Sequence, residues 1–359
     1  MHEPIVFHSE HFPEYQQTLV ESPEQIFALD ENAIHFVKQL STHGKTNREK
    51  AQALVDGIFG RTQLAMDYSA NANTTATQTF HQGISNCLSL TIMTYAMAEK
   101  MGLDSRFQKI MIPEYWTRRD GNTILNGHVN LRVKKSNSNL IINSNSDTII
   151  DFQPLETRQS FPVQALSKSE VVSLFYVNKG AELMMNKRLS QAYAYFKAAL
   201  NSNEYSTEAW LNLGVLYVKK GLYHQAQEAY LKALSIKPSY NSAKENMAKL
   251  YKRLGQYNKA KSMLLRLANE RESNPYYQSM KAEIALENGQ YDKAVTYFKK
   301  AIKLKKKNSE FYFGLARAHW AMGDTKRTKQ SLQKAIRHSQ NISQTELYAT
   351  KHALLSASP

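Results

Sequence analysis

Among 359 residues there is one cysteine, Cys87, in the stretch GISNCLSLT, and whether a thiol does chemistry depends on its neighbours. Ser85 and Asn86 are candidate caps for a helix that begins at Cys87. The free N–H groups of such a helix start favour a thiolate by only about 0.3 to 1 kcal/mol. A histidine partner does far more, because it takes the thiol proton and keeps it as a facing positive charge. The sequence offers His128, 41 residues downstream at the head of HVNLRV, and Asp151, 23 residues beyond that, in TIIDFQP. Alternation in HVNLRV puts Val129, Leu131 and Val133 on one face and His128, Asn130 and Arg132 on the other. If the two segments pair as strands, Asp151 can hold the imidazole while Cys87 faces its other nitrogen, an arrangement suited to nucleophilic acyl transfer. The competing reading makes Cys87 a small core residue, His128 an ordinary strand histidine and Asp151 a cap for the turn at DFQP. His81 lies closer to Cys87 in sequence, but in the approach loop and with no orienting carboxylate in sight.

Acyl transfer also needs donors for a developing oxyanion. The Cys87 backbone N–H is expected to supply half of that site, and Tyr68, Gln82 and Asn86 are candidates for the other half. Trp116, in PEYWTRRDG, reads equally as a loop residue over the cleft and as a packed surface tryptophan. There is no Gly-rich phosphate loop and no cluster of cysteine or histidine with metal-ligand spacing, so no metal and no nucleotide cofactor is expected.

To position these groups the first half must supply a buried helix and a sheet. SPEQIFALDENAIHFVKQL reads as a helix opening on Ser22 and Pro23, and NREKAQALVDGIFG as a second. AMDYSANANTTATQTFHQGIS breaks the periodicity. CLSLTIMTYAMAEKM is apolar nearly all round and stops at Gly102, as a helix in the middle of a domain does. RFQKIMI, HVNLRV and TIIDFQP read as strands, with KKSNSN as a polar hairpin.

The second half repeats. Gly221, Gly255, Gly289 and Gly323 are 34 apart, as are Ala192, Ala226, Ala260 and Ala294, and a fixed period of that size marks stacked helix pairs. Windows 173–206, 207–240, 241–274, 275–308 and 309–342 align without gaps, and 343–359 reads as a capping helix and tail. Glycine at the fifteenth place is expected to end each first helix with positive φ, while Gly214, Ala226 and Ala233 let helices approach closely. The second window carries Trp210, Leu213, Gly214, Tyr217, Ala226, Tyr230, Ala233 and Pro238 at the places where tetratricopeptide repeats have them, and the half as a whole resembles such an array. The resemblance implies a superhelix whose concave wall binds peptides. Asn178, Asn212 and Asn246 recur at the sixth place of three windows, where such a ladder grips an extended peptide in some relatives, although asparagine is also common there in ordinary repeats.

Residues 1–170 hold 15 Lys+Arg against 18 Asp+Glu, whereas 171–359 hold 31 against 13, so the net charge of +15 belongs to the repeats alone. That favours an acidic partner for the array. Nucleic acid is not expected, because no zinc-finger, recognition-helix or aromatic sheet signature accompanies the lysines. A lone cysteine excludes an internal disulfide and leaves the compartment open. No apolar run approaches the roughly 20 residues of a transmembrane span, and the start MHEPIVFHSEHFPEY shows no secretion signal.

With NCLSLTIMTYAMAEKMGL, NGHVNLRV and IDFQP, and Tyr68 upstream, the first half resembles a transglutaminase-like domain of the papain-like superfamily, in the bacterial arrangement that joins one to tetratricopeptide repeats. This chain has Ser85 where the commoner family pattern has glycine before the Asn-Cys pair. The resemblance implies an α+β domain over 1–170, a central helix packed on an antiparallel sheet, followed by an all-α superhelix. It also implies a Cys87–His128–Asp151 triad and a protein or peptide substrate. Many such proteins are envelope lipoproteins, so a periplasmic or envelope setting is the family expectation. The function that follows is cysteine-dependent acyl transfer on a peptide amide, protease-like or transamidase-like, with the repeats recruiting a protein. The alternative is an inactive adaptor that binds proteins through the repeats.

Overall fold

The computed structural model describes residues 7–42, 44, 46–60, 64, 66–69, 71–111, 116–119, 122–125, 128–134, 147–151, 163–339 and 342–357. They fall into two compact units, the first made of 1–109, 128–152 and 164–264, the second of 110–127, 153–163 and 265–359.

In the first unit Ser22 caps helix α1 (Pro23–Phe27) through a reciprocal pair of hydrogen bonds with Gln25. The single helix expected from this point ends after five residues, because Asp30 is itself a cap: its Oδ1 accepts from Ala33 N–H at 3.0 Å and opens α2 (Glu31–Ser41). Thr46 caps α3 (Asn47–Phe59). The stretch read as aperiodic holds strand β1 (Asp67–Tyr68), helix α4 (Ala76–Gln82) and strand β2 (Ile84–Ser85). Helix α4 is too short to show periodicity, but its capping box, Thr75 with Gln78, was present in the sequence. Helix α5 (Cys87–Lys100) is buried from Leu88 to Ala98 except at Tyr95, and Gly102 follows at φ +70°. Its hydroxyls cost little in this setting, since Thr91 donates to Cys87 C=O at 2.6 Å and Thr94 to Leu90 C=O at 2.8 Å.

The strands are β3 (Ser105–Ile110), β4 (Trp116–Arg119), β5 (Asn122–Leu125), β6 (His128–Val133), β7 (Thr148–Ile150) and β8 (Val163–Leu166). Four form a sheet in the order β7-β6-β3-β8. Strands β6 and β7 are antiparallel with Leu131 opposite Ile150, and α5 lies against β6. In the second unit β4 and β5 make a separate antiparallel pair, Trp116 opposite Leu125. Trp116 therefore opens a strand instead of riding on a loop, consistent with the Asp-Gly hairpin signal between the two runs; its side chain lies outside the described residues. Most of KKSNSN, from 135 on, and the DFQP turn from 152 also lie outside them.

The repeat helices follow the expected period. They are α6 (Lys168–Met185), α7 (Leu189–Ser202), α8 (Thr207–Lys219), α9 (Tyr223–Ile236) and α10 (Asn241–Arg253) in the first unit, then α11 (Tyr257–Glu272), divided between the units. The second unit holds α12 (Pro275–Glu287), α13 (Tyr291–Leu304), α14 (Ser309–Ala321), α15 (Thr325–His338) and α16 (Ile342–Ala357). A methyl group at Gly214 would overlap the Tyr230 ring, which is why that place takes glycine. The fifteenth-place glycines have φ of +79°, +72°, +71° and +75°. In the first repeat the same place is Lys187, held at φ +62° despite its Cβ. Lys187→Gly is therefore expected to stabilise the first unit by about 1 kcal/mol, read as a higher urea midpoint with an unchanged slope.

Ahead of α1, residues 7–21 lie on the first repeat helices. Phe12 is fully buried and stacks on Tyr193 at 4.1 Å and 4°, while Glu21 accepts from Tyr176 OH at its carbonyl and from Tyr195 OH at Oε2, both at 2.6 Å. Apolar contact is continuous from Phe12 through α5 and β6 to Leu250. Helix α6 thus shares a core with the elements that carry Cys87 and His128.

Candidate active site

Asn86 sets the start of α5. Its Oδ1 accepts from the N–H groups of Leu88 and Ser89 at 2.9 Å each, and its own N–H donates to Ser89 Oγ at 2.9 Å. Cys87 is the first residue of the helix and is half-buried. Since Asn86 takes the next two amides, the Cys87 N–H is the first-turn donor that the cap does not use. Ser85, in place of glycine, sits in β2 with an ordinary negative φ, paired in parallel with Tyr68, so the turn makes no demand that a side chain cannot meet.

The β6–β7 pairing brings the second and third groups to the first. His128 Nε2 and Asp151 Oδ2 are 2.5 Å apart, and both side chains are almost fully buried, at 5% and 1% exposure. The Cys87 side chain lies beside the imidazole and adds to the rise of the His128 group. Sulfur, ring nitrogen and carboxylate oxygen all lie within 4.8 Å of one another. These atoms are close enough to share a metal ion, but Nε2 and Oδ2 are already hydrogen-bonded to each other, a geometry suited to holding a proton.

Electrostatics sharpen the arrangement. Burial by itself pushes the His128 imidazolium down and is the largest influence. The hydrogen bonds to Asp151 and then Cys87, with their charges, outweigh it and lift the group to about 9. His128 is therefore cationic through neutral pH.

Residues beyond the three expected ones complete the environment. Asn130, two along β6, donates from Nδ2 to the same Asp151 oxygen at 3.2 Å. His128 and Asn130 are only 4% and 1% exposed, so the face that alternation set apart from the core is covered at this end of the strand. Thr91 Oγ1 joins the elements, bonding Cys87 C=O and reaching Val129 C=O at 3.3 Å. Neither Asn130 nor Thr91 had a local sequence signal, because each acts only once β6 lies on α5.

The support candidates separate. Asn86 spends its carbonyl on the cap and its Nδ2 on Asn73 Oδ1 at 3.0 Å. Gln82 is exposed at the end of α4. Tyr68 is 43% exposed on β1, opposite Ser85. His81 corrects the sequence reading: it has a carboxylate after all, Asp30 Oδ2 at 2.6 Å, in an exposed pair on the surface. Asn178, Asn212 and Asn246 are half-buried on α6, α8 and α10 of the first unit. Asn212 donates one N–H of its amide to Glu208 C=O of its own helix at 2.9 Å, so Oδ1 and the second N–H are the groups that could face a ligand.

Comparison with known proteins finds two family models. Residues 176–312 match the tetratricopeptide domain of cytochrome c-type biogenesis protein H, and residues 285–355 match a tetratricopeptide repeat model. Among solved structures the chain is similar to YrrB, described as a tetratricopeptide protein with an unusual peptide-binding site. That match has 20% identity and TM-score 0.26, covering 50% of this chain and 92% of that one. PilF of Pseudomonas aeruginosa matches at 16% identity and TM-score 0.29, covering 54% and 90%. MamA of Desulfovibrio magneticus RS-1 matches at 16% and 0.27, covering 46% and 94%. No curated protein matches the chain. The C-terminal part of the chain is a tetratricopeptide array, and among the described residues no helix is long and apolar enough to cross a membrane.

Proposed function

We propose that the chain joins a cysteine acyl-transfer site of transglutaminase-like type, over 1–170, to a protein-binding tetratricopeptide array over 171–342 and a capping helix over 343–359. Protein binding is what the family matches support. Catalysis rests on one observation, the meeting of Cys87, His128 and Asp151 at the start of a buried helix. The substrate is an amide of a protein or peptide, and no metal or organic cofactor takes part.

The chemistry follows from where the proton sits. His128 keeps its proton up to about pH 9, so an imidazolium faces the Cys87 sulfur. Sulfur attacks the amide carbon, and the carbonyl electrons move to oxygen, which the Cys87 N–H and a second donor such as Tyr68 would stabilise. As the intermediate collapses, the C–N bond breaks and the leaving amine takes the His128 proton. The resulting thioester is opened by water, whose proton returns to His128; an amine in place of water gives cross-linking. Asp151, held by Asn130, keeps the ring in the tautomer and orientation that both steps use. Water is always available, which favours proteolysis.

The second reading is an adaptor without catalysis, and the comparisons support it more directly, because the family matches fall on the repeats. Both readings give the array a protein partner, which the asparagines of α6, α8 and α10 would help to grip. Incubating the chain and its Cys87→Ala variant with a peptide-amide library separates them. Acyl transfer predicts amine release or labelled-amine incorporation by the native chain alone. Equal inactivity, with the same protein captured by both, leaves the adaptor.

A further inference from the structure

A line of hydrogen bonds joins the first repeat helix to the nucleophile's helix, and no role assigned above uses all of it. Glu182, exposed near the end of α6, accepts at Oε2 from Asn73 Nδ2 at 3.1 Å. Asn73 Oδ1 accepts from Asn86 Nδ2 at 3.0 Å, and Asn86 Oδ1 accepts from the N–H groups of Leu88 and Ser89 at 2.9 Å each. The direction of the donors is the same throughout. Each amide gives its N–H toward the carboxylate and takes a hydrogen bond on the helix side. The charge of Glu182 therefore polarises Asn73, and Asn73 polarises Asn86, in the sense that makes Asn86 Oδ1 a stronger acceptor. A neutral cap gains some of the character of an anionic one. The line also fixes which way the Asn86 amide faces: with Nδ2 held by Asn73, the oxygen is the atom turned to the helix. Cys87 lies between Asn86 and Leu88, so its sulfur and N–H follow the cap.

We propose that Glu182 is a positioning residue for Cys87, acting through Asn73 and Asn86, so that the first helix of the array holds the nucleophile's helix start. The proposal rests on the acyl-transfer reading for its consequence at sulfur, but not for its effect on the helix. It also gives a partner on α6 a route to the site, since a cation that takes Glu182 releases Asn73.

The test uses the full chain with Glu182→Ala, Glu182→Gln and Asn86→Ala, reading amide hydrogen exchange at Leu88 and Ser89 and the pH profile of Cys87 alkylation. Glu182→Ala is expected to speed exchange at both amides about threefold and to slow alkylation near neutral pH by a similar factor. Glu182→Gln, which keeps an acceptor oxygen, recovers part of both, and Asn86→Ala sets the upper limit at about tenfold. Unchanged exchange in Glu182→Ala, with Asn86→Ala raised, overturns the proposal. So does faster exchange with the same alkylation profile. If native Cys87 reacts no faster than in the unfolded chain, the acyl-transfer reading fails first, and the exchange rates alone decide whether the line holds the helix start.

Discussion

Replacing His128 with alanine is expected to slow alkylation of Cys87 by iodoacetamide at about pH 6 roughly a hundredfold. An ordinary thiol is only about 0.3% ionised at that pH, and the helix end adds about 0.3 to 1 kcal/mol at most. Among the described residues the imidazolium is the cation beside the sulfur, and its proton is retained to about pH 9. The native chain should alkylate faster than the unfolded chain at about pH 6, whereas His128→Ala should match the unfolded chain. Asp151→Asn should fall between, since a neutral amide still orients the ring but no longer balances its charge. A native rate that climbs like that of the unfolded chain would remove the basis for catalysis, whatever the array binds.

The second large effect is on stability. His128 is raised to about 9 in the fold from about 6.5 in an unfolded chain. Below about pH 6.5 both states carry the proton and the pairing with Asp151 and Cys87 contributes in full. Between about 6.5 and 9 the unfolded chain releases the proton and the folded one keeps it, so stability falls as pH rises. Above about 9 nothing further is lost from this group. The total is about 3 kcal/mol, or roughly 6 to 12 °C in the melting temperature of a unit of this size. His128→Gln should lack this slope. Equal losses for both proteins over that window would show that the imidazole is not held in its charged form.

Much of the site was legible because its signals are local. A cap before an apolar run places Cys87 at a helix start, alternation in HVNLRV gives a strand with His128 at its head, and TIIDFQP gives another with Asp151 just past its end. The repeats were more legible still, since a 34-residue period repeats the same local choice in each window. What escaped were features whose meaning depends on a distant neighbour. Asp30 reads as one more polar residue in a helix until it caps α2 and meets His81. Asn130 reads as an outward strand residue until the sheet is covered and its amide finds Asp151. Lys187 shows no positive φ in its own residue type, only in the place it occupies among the glycines of later repeats.

The sequence by itself determined which residues could do chemistry, which helices and strands carry them, and the repeat array with its basic charge, because caps, alternation and period act within a few residues along the chain. Only the tertiary structure decided that Nε2 meets Asp151 and that Cys87 lies beside the same ring. It also decided that Asn86 is committed to a cap and that residues 7–21 and helix α6 share a core with the Cys87 helix. Those outcomes depend on strand register and on which surfaces bury each other, and neither is set until segments far apart in sequence compete for the same apolar contacts.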